Sequence, residues 1–129
     1  MDVLTHKMID SELCGRPLLI EDNYSKVEMI TTRKMAVDVT GLVHGGFVFG
    51  LADYSAMIAV NHPNVVLGAA EVKFLRPVKT GDVLVAEARA GEKEGKRHSV
   101  SVTVKNGDTE VFKGMFICFT LDKHVLINQ

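Results

Sequence analysis

Apolar positions crowd residues 45–61, which read Gly-Gly-Phe-Val-Phe-Gly-Leu-Ala-Asp-Tyr-Ser-Ala-Met-Ile-Ala-Val-Asn. They fall on nearly every face of a helical wheel, and a helix that is apolar all round is normally buried. The pattern predicts a helix over residues 46–61. His62-Pro63 should stop it, because proline disfavours helical geometry in the residue before it. Downstream the period changes. Val100, Val102 and Val104 alternate with Ser99, Ser101 and Thr103, the period-two pattern of a half-buried strand. Strands are also expected over residues 26–32, 64–74, 83–90 and 109–121. Residues 80–82 read as a turn and residues 91–95 as a hairpin loop. Asn106-Gly107 is a second hairpin signal, since both residues tolerate the positive φ of a tight primed turn. Residues 1–25 are mixed, with a short helix before Gly15-Arg16-Pro17, and residues 33–43 form a connecting loop.

One long apolar helix and roughly five mostly antiparallel strands make an α+β domain. The helix has no second apolar helix to pack on, so the sheet is expected to curl around it. Long edge strands would invite pairing with a second copy.

Composition narrows the partners. The chain has 129 residues, enough for one domain with a real core, and 47% of them are hydrophobic. Its 15 basic residues nearly balance 16 acidic ones, for a net charge of −1, and no basic stripe points to nucleic acid. The longest apolar run is interrupted by Asp53, which argues against a membrane span. No signal-peptide pattern opens the chain, and Cys14 and Cys118 are far apart without a CxxC. Free thiols in a reducing cytoplasm are the simplest expectation. Cys118 lies among Phe116, Ile117 and Phe119 and reads as a core filler. No histidine spacing resembles a metal site. His62 is expected to cap the helix end, where partial positive charge suits the dipole.

Asp53 is the only charged residue in the apolar helix. A buried carboxylate is costly unless something pairs with it or uses it. Either it hydrogen-bonds Tyr54, Ser55 or nearby backbone, or it is a working group. At the start of the helix stands His44-Gly45-Gly46. Its glycines either relieve crowding at the junction or let a ligand approach the first-turn amides, which lie at the positive end of the dipole. Such amides can stabilise a carbonyl oxygen gaining negative charge. Asp53 lies eight residues after Gly45, about 12 Å along a helix axis. One small reacting group cannot touch both. Cooperation would require the amide from one subunit and the carboxylate from another, with two equivalent sites in a dimer.

These residues resemble a family. The run Asp38-Val39-Thr40-Gly41-Leu42-Val43-His44-Gly45-Gly46-Phe47-Val48-Phe49-Gly50-Leu51-Ala52-Asp53 is similar to the signature of hotdog-fold acyl-CoA thioesterases, nearest the phenylacetate-pathway enzymes of the 4-hydroxybenzoyl-CoA thioesterase-like group. Residues 71–82, Glu-Val-Lys-Phe-Leu-Arg-Pro-Val-Lys-Thr-Gly-Asp, resemble that family's second segment. The resemblance implies a curved antiparallel sheet around a long helix, assembled as homodimers or homotetramers. It implies Asp53 as catalytic carboxylate, either nucleophile or general base. It also implies that the Gly45 amide polarises the thioester carbonyl, with His44 and Gly46 shaping that end. Many relatives carry asparagine six residues before the histidine, where this chain has Asp38. Both side chains can close the loop by bonding to backbone.

The substrate would be an acyl-CoA, with no cofactor beyond the CoA it carries and no metal. CoA phosphates would favour cations at the pocket mouth. Arg76, Lys79, Arg97 and Lys73 are candidates, each otherwise an ordinary solvated charge. Phe47, Tyr54 and Met57 are candidates to line the acyl end, each otherwise plain core. An alternative is a non-catalytic acyl-CoA-binding or sensing module of the same fold. The segment from Lys73 to Asp82 also resembles bacterial regulators of fatty-acid synthesis, but roughly 25 residues before the first expected strand are too few for their helix-turn-helix.

Overall fold

The computed structural model describes residues 1–127 and folds them as one six-stranded antiparallel sheet around one long helix. In chain order the elements are α1 (Ser11–Cys14), β1 (Arg16–Glu21), β2 (Tyr24–Ile30), a 3-10 turn (Arg33–Met35), α2 (Gly45–Val60), β3 (Val65–Phe74), β4 (Val83–Glu94), β5 (Arg97–Asn106) and β6 (Thr109–Thr120). The order across the sheet is β1-β2-β4-β5-β6-β3, which leaves β1 and β3 at its edges. Helix α2 contacts all six strands, so the sheet wraps it in the hotdog arrangement.

The all-round apolar pattern of α2 is explained by what surrounds it. Leu51, Ala52, Ala56 and Ile58 are completely buried. They meet the inward row of each strand, such as Leu84, Ala86 and Ala88 of β4 and Val100, Val102 and Val104 of β5. Burying each large aliphatic side chain stabilises the fold by about 1.5–3 kcal/mol. Two buried hydroxyls are paired, one tying sheet to helix and one within the helix. Ser25 Oγ donates to the Ser55 carbonyl at 2.6 Å, and Ser55 Oγ donates to the Ala52 carbonyl at 2.7 Å.

Several boundaries differ from expectation. The sixth strand is β1, which Pro17 and the run Leu18-Leu19-Ile20 disguise by breaking the period-two pattern. Proline is tolerated there because β1 is an edge. It turns into β2 through Asp22-Asn23, with Asn23 at φ 59°. Residues 91–95 are not a free loop. Strand β4 continues to Glu94 with a bulge between Ala90 and Lys93, and Glu94 pairs with Arg97 across a two-residue turn. The last hairpin turns one residue later than expected, at Gly107-Asp108, because Asn106 pairs with Thr109.

The helix end also differs. Asn61, not His62, is the C-cap, in the left-handed region at φ 50°. Its N–H donates to Met57 O at 2.7 Å. Its side chain clamps the N-terminal segment, accepting from the Leu4 N–H and donating to the Asp2 carbonyl, both at 2.9 Å. His62 instead accepts the Asn64 N–H on Nδ1 at 3.0 Å.

Candidate active site

The loop before α2 is pinned before the helix begins. Val43 N–H donates to Val78 O and His44 N–H to Met35 O, both at 2.8 Å. Asp38 closes the preceding turn, its carboxylate accepting from the Thr40 N–H at 2.9 Å and the Thr40 hydroxyl at 2.6 Å. Those bonds hold the Asp38 carboxyl below its ordinary value. Aspartate therefore does here what asparagine can do in such a turn.

His44 is the N-cap of α2. Its Nδ1 accepts the Gly46 N–H at 2.7 Å, and its carbonyl accepts the Phe47 N–H at 3.0 Å. Gly46 is thus occupied by His44. Among the described residues none accepts from the Gly45 N–H. A side chain at Gly45 would press on Phe74, since an added Cβ would lie 3.2 Å from its Cε2. A cleft of about 340 Å³ opens beside Gly45, between Phe74, Val78 and Leu42, with Arg76 and Pro77 in its wall.

Asp53 occupies the middle of α2. Its Oδ1 is buried and has no hydrogen-bond partner among the described residues. Ser55 does not serve it, because that hydroxyl bonds Ala52 O. Burial pushes the Asp53 carboxyl up to about 6. Two thiols lie within reach of its charge. Burial raises Cys14 and pushes Cys118 up to about 12, and the Asp53 carboxylate adds to both shifts. Cys14 arrives from α1 and Cys118 from β6, so the carboxylate stands between an N-terminal segment and the sheet.

One chain does not bring the two halves together. Gly45 and Asp53 stay about 12 Å apart on the same helix. Strand β3, meanwhile, offers an open edge of 10 residues, exposed from Gly68 to Glu71.

The remaining candidates are scattered. Phe47 packs edge-on to His44, ring centroids 6.2 Å apart. Tyr54 and Met57 are buried. Lys79 follows the cleft wall, its N–H bonded to Asp82 Oδ2 at 2.9 Å. Lys73 lies instead with Glu71 and Lys113 in a separate cleft on the sheet. Arg97 pairs with Phe119, whereas the Arg76 N–H donates to Val111 O. Those β6 positions are eight residues apart, about 26 Å along a strand. Phe74 and the two thiols were not singled out as site residues from sequence, since only long-range folding brings them to α2.

Among the described residues, no helix is long and apolar enough to cross a membrane, and no three His, Cys, Asp or Glu side chains group to hold a metal.

The profile of the Thioesterase superfamily matches residues 40–113, from the Asp38 turn into the start of β6. The chain belongs to the Thioesterase superfamily. The family profile therefore spans Gly45, Asp53 and the Arg76 segment. The crystal structure of protein PH1136 from Pyrococcus horikoshii is 52% identical with a TM-score of 0.96, covering 98% of this chain and 97% of that one. A methylthioribose-1-phosphate isomerase of Aquifex aeolicus is 48% identical over 123 residues, covering 95% of this chain but 27% of its own length. Transcription factor FapR of Thermoanaerobacter sp. (strain X514) is 31% identical over 82% of this chain and 64% of its own. The chain thus spans about a quarter of one curated relative and under two thirds of the other.

Proposed function

We propose that the protein hydrolyses an acyl-CoA thioester to free acid and CoA, at a site shared between two copies. Asp53 of one copy supplies the carboxylate, as nucleophile or as base for water, and the Gly45 amide of the other receives the oxyanion. The observation that carries this reading is the buried Oδ1 of Asp53, which has no partner among the described residues. A structural carboxylate would have found a donor. Family membership supports the thioester, because an electrophilic carbonyl and a thiolate leaving group need little acid catalysis. The open edge of β3 supports pairing as a dimer, which could assemble further as a tetramer.

In this reading His44 orients the first turn and Gly46 is held by it. The cleft beside Gly45 receives the pantetheine arm, and Arg76 and Lys79 meet CoA phosphates at its mouth. Lys73 and Arg97 contribute only from a neighbouring copy. Phe47 lines the acyl end, with Tyr54 and Met57 behind it. The reaction needs no cofactor besides the CoA of the substrate and is placed in the cytoplasm.

Similarity to FapR supports a second reading, in which the pocket holds acyl-CoA without turnover. Thiol release from aryl, short, medium and long acyl-CoAs separates the two. Turnover by the protein and its loss in Asp53→Asn is the expected result. Undiminished turnover in Asp53→Asn removes the carboxylate from the mechanism, and tight binding without release by either form selects the sensor.

A further inference from the structure

A second cleft, of about 680 Å³, lies at the opposite end of α2 from Gly45. Five parts of the fold build it: Asn23 in the β1–β2 turn, His62 after α2, Glu92 and Lys93 from the β4 bulge, His98 of β5 and Thr120 of β6. None of them belongs to the site described above. The bulge between Ala90 and Lys93 sets Lys93 directly across from His98. Bulges commonly re-aim side chains in this way.

The two histidines present defined faces. His62 Nδ1 accepts the Asn64 N–H, so its Nε2 carries the proton and is a donor. His98 is nine-tenths buried, and its Nε2 lies 3.2 Å from Thr120 Oγ1. Thr120 Oγ1 in turn donates to Lys96 O at 3.5 Å, which makes it the acceptor for His98 Nε2–H and leaves Nδ1 free to take a proton. Among the described residues, Lys93 is the cation and Glu92 the anion of the lining that has no salt-bridge partner. Lys96 nearby is paired to Asp122 at 2.9 Å.

We propose that this cleft is a second binding site, for a small oxyanion bearing a phosphate or carboxylate group. The ligand would meet the Lys93 ammonium, the His62 Nε2–H and the Asn23 amide. With both histidines neutral, Glu92 cancels Lys93, so the empty cleft carries little net charge. Burial, then Lys93 and His62, hold His98 below its ordinary value. An arriving anion reverses that balance and draws a proton onto His98 Nδ1. Anion and proton therefore bind together, and affinity rises as pH falls. The inference is independent of thioester hydrolysis.

The test is titration of inorganic phosphate into the full chain, following histidine ring resonances by NMR at about pH 6 and about pH 8. Saturable shifts of His62 and His98 are expected, with binding about tenfold tighter at the lower pH. Lys93→Ala, an exposed position, should weaken binding several-fold at both pH values. His98→Gln, which can keep a bond to Thr120, should flatten the pH dependence. Histidine resonances unmoved by phosphate at the lower pH, or an unchanged response in Lys93→Ala, overturn the proposal. A separate arm uses CoA. A response to CoA but not to phosphate would assign the cleft to a neighbouring copy's thioester site and end the claim of a second site.

Discussion

The imidazole of His44 and the backbone of Gly46 are joined by a 2.7 Å hydrogen bond in which Nδ1 is the acceptor. A ring protonated on both nitrogens cannot make it. The bond caps α2 and takes one first-turn amide out of use, while the Gly45 N–H beside the cleft has no acceptor among the described residues. His44→Ala should cost about 1 kcal/mol in thermal or urea unfolding, the usual loss of an N-cap. His44→Asn, which can cap, should recover most of it. Equal stability of all three forms would show that the bond does not hold the helix start.

Asp53 makes a prediction that links stability to chemistry. Its folded-state value of about 6 lies above the ordinary 3.8, so the folded chain binds this proton more tightly than the unfolded one. Below about pH 4 the carboxyl is protonated in both states and burial costs little. The penalty grows as pH rises from about 4 to about 6 and is complete above that, at less than about 3 kcal/mol because part of the residue meets water. Asp53→Asn should therefore melt at higher temperature than the parent near neutral pH. The gap should close near pH 4. A variant less stable than the parent near neutrality would mean that the carboxylate is satisfied after all.

The same shift sets the pH profile. Nucleophile and general base both require the carboxylate form, so turnover should climb with pH through a midpoint near the Asp53 value of about 6. A rate flat from pH 5 to pH 8 would exclude ionisation of Asp53 from the limiting step.

How much of this was legible depended on whether the signal was local. Helix α2 showed itself because apolar residues run nearly all round it and most of it is buried, and β5 because its valines alternate. The lone charge in the helix marked Asp53, and its Oδ1 has no partner among the described residues. Strand β1 was hidden, since an edge tolerates Pro17 and does not enforce alternation. The last turn was misplaced by one residue because Asn106-Gly107 and Gly107-Asp108 both offer a glycine to a tight primed turn, and only the pairing of Asn106 with Thr109 decides between registers. The Asn61 clamp on Asp2 and Leu4 joins residues 57 to 59 apart in sequence and leaves no local pattern.

Gly15 tests how tightly the N-terminal segment is fitted to α2. It sits at φ 98°, and an added Cβ would lie 2.8 Å from Leu51 Cδ1 and 2.9 Å from both Glu28 O and Val27 Cγ1. Backbone strain and overpacking then add together. Gly15→Ala should lower stability by about 3 kcal/mol or more, enough to see as a large drop in the urea midpoint. A neutral substitution would mean that this junction can shift freely.

The shared site can be tested by mixing two inactive forms. Asp53→Asn keeps the Gly45 amide but lacks the carboxylate. Gly45→Val keeps Asp53 but fills the space against Phe74, where even a Cβ would stand 3.2 Å from the ring. Each alone should show little thiol release. In a mixed dimer, one site combines the intact Gly45 of the first chain with the intact Asp53 of the second, while the other site carries both changes. Random exchange of equal amounts makes half the dimers mixed, with one working site in two, so activity should return to about one quarter of the parent's. A site contained in a single chain predicts no recovery, because neither polypeptide carries both groups. Recovery that appears only after the subunits are dissociated and reassociated would tie the effect to exchange of whole chains rather than to contamination by parent protein.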